Sequence, residues 1–304
     1  MTSEKREPVD PVEHGQLRKP PWIRVRIPSG ENYEKIKSLV REKRLHTVCT
    51  EALCPNQGEC WGRGTATFLI LGGVCTRDCT FCGVRTGAAV PARPEEAAEV
   101  ADAVSILNLK HAVITSVTRD DLPDGGAALF AKTVRAVRQK SPGCRVEVLV
   151  PDFRGNRDSI AAVLDAEPDI FGHNIETVPR LYPLVRSQAD YSRSLGVLRC
   201  ARELLQAVTV KSGIMVGLGE SIKEILDVMT DLLQSGCGIL TIGQYLCPTR
   251  SHFPVSRYYT PDEFEELKRT GVRLGFKWVE AAPLVRSSYN ADEQARRAVE
   301  EEQD

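Results

Sequence analysis

Net charge is almost absent from this chain: 40 Lys and Arg stand against 41 Asp and Glu, for a formal charge of −1. Aromatic residues are also few, at 6%. Together these exclude the basic, aromatic-studded surface that nucleic-acid binding needs, so no nucleic-acid partner is expected. No apolar run approaches the ~20 residues of a membrane span, so no membrane partner is expected either. Residues 1–30 lack an apolar signal core, and their acids (Glu4, Glu7, Asp10, Glu13) argue against an organellar transit peptide. No Ser-His-Asp or Cys-His set and no phosphate-binding P-loop can be found, so no side chain is assigned as a catalytic acid, base or nucleophile. The expected product is a cytoplasmic enzyme, and with 304 residues, 42% of them hydrophobic, it can bury a sizeable core.

What the chain does have is cysteine. Of ten, six fall between Cys49 and Cys82. In a reducing compartment such clustering points to metal or chemistry rather than disulfides.

Along the chain, residues 1–30 read as an extended arm with Pro8, Pro11, Pro20, Pro21 and Pro28, and with Trp22 and Ile23 as anchors. A helix is expected over 31–44. Residues 45–63 show no periodicity, which predicts a segment held by something other than a core. From 67 onward, strands (67–71, 112–117, 145–150, 169–174, 209–216, 239–244) alternate with helices (94–107, 127–140, 158–165, 195–206, 221–234, 261–274). Such alternation implies parallel strands with right-handed crossovers. Six units suit an α/β fold built as a partial (β/α)6 barrel, with a doubly wound sheet as the alternative. In either, function sits in the loops after the strands. The expected division is 1–64 for an N-terminal arm and cysteine segment, 65–276 for the barrel and 277–304 for a C-terminal segment. The last of these ends in a frayed acidic tail, 300–304.

Cys75, Cys79 and Cys82 form C-x3-C-x2-C directly after the first predicted strand, with Phe81 before the last cysteine. Three thiolates hold three irons of a 4Fe–4S cluster, whereas an electron-transfer cluster takes four. The open iron suits S-adenosylmethionine (SAM), whose sulfonium a cluster electron can split into a 5′-deoxyadenosyl radical. The alternative is structural zinc, which prefers four ligands in paired knuckles. Cys49, Cys54 and Cys60 form a second trio, C-x4-C-x5-C. It is read either as a zinc loop completed by His46 or as a second cluster with one non-cysteine ligand.

The two trios, together with Arg286-Ser287-Ser288-Tyr289 and the segments 116–126 (SVTRDDLPDGG), 172–178 (GHNIETV), 211–220 (KSGIMVGLGE) and 243–248 (GQYLCP), resemble the lipoyl synthase family of radical SAM enzymes. The likeness runs from about Lys19 to Ala291. Single motifs are shared with other radical SAM enzymes; the combination of the first trio in the chain with the C-terminal Arg-Ser-Ser-Tyr is specific to this family.

The resemblance implies two 4Fe–4S clusters, with SAM as co-substrate. It assigns Cys75, Cys79 and Cys82 to one cluster. The other, auxiliary cluster takes Cys49, Cys54, Cys60 and Ser288, with Ser287 as the fallback. A serine oxygen is a hard donor mismatched to a soft iron–sulfur site, and so an apt ligand to give up. The implied reaction inserts two sulfurs, at C6 and C8, into an octanoyl chain on a lysine of a lipoyl carrier domain, with the auxiliary cluster as sulfur donor. The implied partners are octanoylated carrier domains (2-oxoacid dehydrogenase E2 subunits and the glycine cleavage H protein), an electron donor such as ferredoxin or flavodoxin, and an iron–sulfur cluster carrier. For SAM, strand-end position and likeness point to Asn174 and Glu176, with the turn Gly217, Gly219 and Glu220 beside the adenosine. Arg119, Asp120 and Lys211 are weaker candidates. Cys144, Cys200, Cys237 and Cys247 are expected as small buried hydrophobes, and His46, His111, His173 and His252 as structural. The competing readings are a biotin-synthase-like enzyme acting on a free small molecule, a non-catalytic iron–sulfur carrier, and a zinc-stabilised binding module.

Overall fold

The computed structural model describes residues 17–25, 29–52, 54–63 and 65–300, with side chains to 297. The arm before residue 17, its Pro28 and the acidic tail from 301 lie outside the described residues.

The chain opens with α1 (Glu31–Glu42), a two-residue strand β1 (His46–Thr47) and the short helices α2 (Val48–Glu51) and α3 (Gln57–Gly62). It continues through β2 (Thr67–Ile70), the paired fragments β3 (Val74–Cys75) and β4 (Arg85–Thr86), α4 (Glu96–Ile106) and β5 (His111–Ser116). Next come α5 (Ala127–Lys140), β6 (Arg145–Leu149), α6 (Arg157–Leu164), β7 (Ile170–Gly172), α7 (Tyr182–Val185) and α8 (Tyr191–Leu204). The last elements are β8 (Thr209–Val216), α9 (Ile222–Gln234), β9 (Ile239–Gln244), α10 (Pro261–Leu274), β10 (Trp278–Ala282) and α11 (Ala291–Glu300).

One eight-stranded sheet, in the order β1-β2-β5-β6-β7-β8-β9-β10, is parallel throughout except for β1. The six expected strands are therefore joined by a seventh parallel one, β10, which the sequence reading did not contain. β10 pairs with β9 from Trp278 opposite Ile239 to Ala282 opposite Gly243. The sheet is open but curled: α11 touches both β5 and β10, five places apart in strand order.

Helices cover the outer face because their apolar residues recur at helical spacing. In α9, Ile225, Val228, Met229 and Leu232 are all buried. Ser221 and Glu224 form a capping box at its start, and Thr260 and Glu263 do the same for α10, where Pro261 takes the first helical position. Each such cap is worth about 1 kcal/mol. Strands β2 and β9 are buried at every residue, as parallel strands covered on both faces must be.

The cysteine segment 45–63 corrects an expectation. It does reach the core: Leu45, Cys49 and Trp61 are buried with Ile36 and Leu39 of α1, and the Trp61 ring lies 5.4 Å from that of Tyr33. Helices of four and six residues are too short to show a period. Trp22 anchors the arm as expected, its indole N–H donating to the Tyr259 carbonyl at 3.1 Å.

Candidate cluster and SAM site

The loops after β2, β5, β7, β8 and β9 and the segment after β10 leave the same, C-terminal, edge of the parallel strands, whereas the second trio precedes β2 and follows the antiparallel β1. The first trio hangs from the loop after β2. Its conformation is fixed from beneath by Arg77, whose guanidinium donates to both carboxylate oxygens of Asp120 (2.6 and 2.9 Å) and of Asp152 (3.0 and 2.8 Å). From the outside, the 249–253 loop clamps it. His252 Nε2 pairs with the Cys82 carbonyl at 3.0 Å, and the Phe253 N–H donates to the Thr80 carbonyl at 2.9 Å. The Cys75 Sγ accepts from the Thr118 N–H at 3.3 Å and the Arg77 N–H at 3.5 Å, donors suited to a thiolate.

Burial pushes the Cys82 thiol up to about 12 and also raises Cys79, against the pull of the nearby Arg186 guanidinium. Such thiols are neutral until a metal centre compensates their charge, so loading must release protons. Arg186 is itself buried, with Nη1 on the Asn174 and Ile175 carbonyls, both at 2.9 Å.

The second trio is built differently. Cys49 rides on α2 and Cys60 on α3, with Cys54 in the turn between them. Together with Asn56, Thr65, Thr67, Arg286, Ser288 and Tyr289 they line one small cavity. Burial raises Cys49 to about 11 and Cys60 to about 12. His46 does not line this cavity; its Nδ1 pairs with Glu51 at 2.8 Å. Among the described residues, no three His, Cys, Asp or Glu side chains converge on one metal ion. The arrangement fits a polynuclear cluster, whose ligands surround a volume, better than a zinc ion at a point.

The segment 283–289 lies across the barrel mouth as a strap. Asn56 Nδ2 donates to the Leu284 carbonyl at 2.5 Å, and the Gln244 N–H donates to the Pro283 carbonyl at 3.3 Å. The Tyr289 hydroxyl donates to Glu59 at 3.1 Å. Two glycines make room for it. A Cβ on Gly243 would collide with the Val285 carbonyl, and one on Gly213 would come within 2.7–3.1 Å of Thr241, Asn174 and Ser287. The consecutive serines point to different places. Ser288 Oγ accepts from the Thr67 hydroxyl at 2.7 Å, at the second trio's cavity. Ser287 Oγ instead accepts from Asn174 Nδ2 at 2.6 Å. Arg286 stands between the two, within electrostatic reach of Cys54 and Glu176.

Asn174 and Glu176 follow β7 and bond to each other, Nδ2 to Oε1, at 3.0 Å. Glu176 holds a left-handed backbone (φ 69°). Burial raises its carboxyl, against Arg186, the Asn174 amide and Arg286. The Gly217–Glu220 turn is a different matter. The Glu220 carboxylate accepts from the Gly217 and Leu218 N–H groups (2.6 and 2.9 Å) and from the Tyr259 hydroxyl (2.9 Å). It is a strut of its own turn. Gly217 (φ 100°) is pressed by Gln244 and the Arg257 carbonyl, so the close approach there comes from the chain itself. Gly219 (φ 105°) meets only Ser256 in ordinary contact.

The weaker candidates are internally paired. Arg119 grips Asp121 through two bonds (2.8 and 2.7 Å). With Asp120, Phe153 and Arg154 these residues line a cavity of about 430 Å³. Lys211 is buried against Glu147 at 2.7 Å, and His111 meets the same carboxylate at 3.1 Å. Burial alone would raise Glu147, but Lys211 and His111 prevail and hold it below its usual range. Lys211 is therefore a core cation. Of the remaining cysteines, Cys144 and Cys237 are buried as expected, whereas Cys200 and Cys247 are partly exposed, a correction for those two. Cys200 sits on α8, and Cys247 in the loop after β9.

Sequence reasoning missed Thr67, Asn56, Arg77, Arg186, Gly213 and Gly243. Only the glycines carried a signal, since glycine inside a strand often marks close approach of another backbone.

Comparison with known proteins places the chain in a family. The Radical SAM superfamily profile matches residues 69–232, and that of the N-terminal domain of lipoyl synthase matches residues 2–54. The chain is 59% identical to lipoyl synthase of Rubrobacter xylanophilus, over 94% of this chain and 89% of the relative. It is 54% identical to that of Bacillus subtilis, over 94% and 97%. Among solved structures, the FeFe-hydrogenase maturase HydG from Carboxydothermus hydrogenoformans (TM-score 0.58, 13% identity, 87% of this chain and 69% of that one) shares the fold. So does methylornithine synthase (TM-score 0.54, 16% identity, 81% and 70%). The partial barrel, the two cysteine trios and the strap are thus the frame of a radical SAM enzyme, and the chain belongs to the lipoyl synthase family.

Proposed function

We propose that this enzyme inserts two sulfur atoms, at C6 and C8, into an octanoyl group attached to a lysine of a lipoyl carrier domain, giving lipoyl-lysine. When bound, one 4Fe–4S cluster supplies the electron that splits SAM, and the other supplies the sulfur. Cys75, Cys79 and Cys82 hold the first; Cys49, Cys54, Cys60 and Ser288 hold the second. The observation that carries this reading is the strap, which delivers Ser288, and not Ser287, to the cavity of the second trio.

On this reading residues 1–64 build the auxiliary site, 65–276 the SAM site, and 277–304 close the two together. Neither C6 nor C8 carries an acidic proton, so the chain's own work is to hold the acyl carbons in near-attack geometry and keep water out. Asn174 and Glu176 are the SAM contacts best supported by position. Gly217, Gly219 and Glu220 act by shaping the turn beneath it. The partners are octanoylated E2 and H-protein domains, a ferredoxin or flavodoxin as electron donor, and a carrier that rebuilds the spent cluster. None of the described helices is long and apolar enough to cross a membrane.

The test is an anaerobic assay of the reconstituted, reduced protein with SAM and either an octanoylated carrier domain or free octanoic acid. Lipoyl product and 5′-deoxyadenosine with the carrier domain alone are expected. Product from the free acid alone would give preference to a small-molecule enzyme, and absence of 5′-deoxyadenosine would reduce the chain to a cluster carrier.

A further inference from the structure

Both hydrogens of the Asn174 amide are spent. Nδ2 donates to Glu176 Oε1 at 3.0 Å and to Ser287 Oγ at 2.6 Å. The amide orientation is thereby fixed, and the end left for a ligand is the acceptor Oδ1. Oδ1 lies in the space that Gly213 leaves, 2.9 Å from where a Cβ would stand, beside Thr241 Oγ1 and Ser287 Oγ. The partner that locks it arrives from 113 residues away, on the strap whose next residue, Ser288, is held by Thr67 at the cavity of the second trio.

We infer that Ser287 is a positioning residue: it orients the Asn174 amide for SAM and, through its bond to Ser288, couples SAM binding to the seating of the strap at the auxiliary site. The inference rests on the reading above that Asn174 faces SAM. The two serines share a peptide bond, so a backbone shift that withdraws one also displaces the other. When Ser288 leaves the second trio, Ser287 is drawn off Asn174, the amide is free to turn, and SAM is held less well. By linkage the converse holds to the same factor at equilibrium: bound SAM favours the seated strap, and a strap that is seated more of the time retards loss of the auxiliary iron. The sense of the coupling is economical, since a chain whose sulfur-donating site has been dismantled holds less tightly the co-substrate that would otherwise be cleaved with no sulfur to transfer.

The test uses the isosteric pair Ser287→Thr and Ser287→Val, which differ in one hydroxyl and not in shape. The dissociation constant of SAM is measured by anaerobic equilibrium dialysis on the reconstituted protein, with iron and sulfide counted per chain. Ser287→Val is expected to bind SAM about fivefold to tenfold more weakly than Ser287→Thr, the loss of one well-made hydrogen bond. Cluster content should be equal in the two. The difference should vanish in an Asn174→Ala background, and SAM should slow chelation of the auxiliary iron in Ser287→Thr but not in Ser287→Val.

Equal SAM affinities overturn the inference, as does a difference that survives Asn174→Ala. Loss of about half the iron in Ser287→Val would make Ser287 a cluster ligand instead, and an insoluble Val variant beside a folded Thr variant would make the hydroxyl structural. If neither branched side chain is accommodated, Ser287→Ala against wild type gives the same comparison without added bulk. Failure of the underlying functional reading looks different: wild-type protein would neither bind nor cleave SAM.

Discussion

Cys75, Cys79 and Cys82 lie within eight residues of one another, on a loop tied to β2 and braced by Arg77, Thr118 and His252. Cys49, Cys54 and Cys60 span twelve residues on two short helices, and their cavity is completed by Thr67 and by a strap more than two hundred residues further along the chain. The first site is local and stiff, the second assembled from distant pieces. A centre that must survive every turnover suits the first design. One that is to be opened suits the second, because a wall made of a separate segment can leave without unfolding the barrel.

The largest effect expected is a clean division of labour between the two sites. Cys75→Ala should abolish 5′-deoxyadenosine formation, whereas Cys54→Ala should still cleave SAM yet make no lipoyl product. Each variant should fall from about eight irons per chain to about four. Lipoyl product from Cys54→Ala would collapse the distinction between a splitting site and a donating one.

A smaller but sharper test acts on the strap alone. Gly243→Ala puts a methyl group against the Val285 carbonyl and should cost about 1–3 kcal/mol in strain. The auxiliary iron should be lost or loosened while the first cluster remains and SAM is still cleaved when supplied at saturation. Equal loss from both sites, by iron analysis and EPR, would show that the two regions are not separable. The mildest change is Thr67→Val, which removes the 2.7 Å bond to Ser288. At about 1 kcal/mol it should speed release of the auxiliary iron to a chelator roughly fivefold and leave the iron of the first cluster in place.

Much of the frame was legible in the sequence because it rests on repeats of local character. Helices α5, α9 and α10 and strands β8 and β9 fall at the expected residues, since apolar spacing and strand composition decide them directly. β10 was not legible: Trp-Val-Glu-Ala-Ala is short, half-exposed and without alternation, and only pairing with β9 makes it a strand. α11 was equally hidden, because it docks through Ala291 and Ala295 rather than through a stripe of large apolar residues.

At the site, spacing alone marked both trios as candidate metal ligands and left the second open between zinc and a cluster. Ser288 could not; it entered through family likeness, and its neighbour's bond to Asn174 had no signature at all. At Gly217 the groups that stand where a Cβ would be are the chain's own Gln244 amide and Arg257 carbonyl. A motif tells that backbone must come near something. It does not say what.

The wide separation of the second site's walls also sets an order of events during synthesis. On a ribosome adding about 5–20 residues per second, Ser288 follows Cys49 by roughly 10–50 s, while all three cysteines of the barrel loop emerge soon after Cys60. The three thiols of the barrel loop are therefore presented together early, whereas the donating centre cannot be closed until Ser288 has emerged.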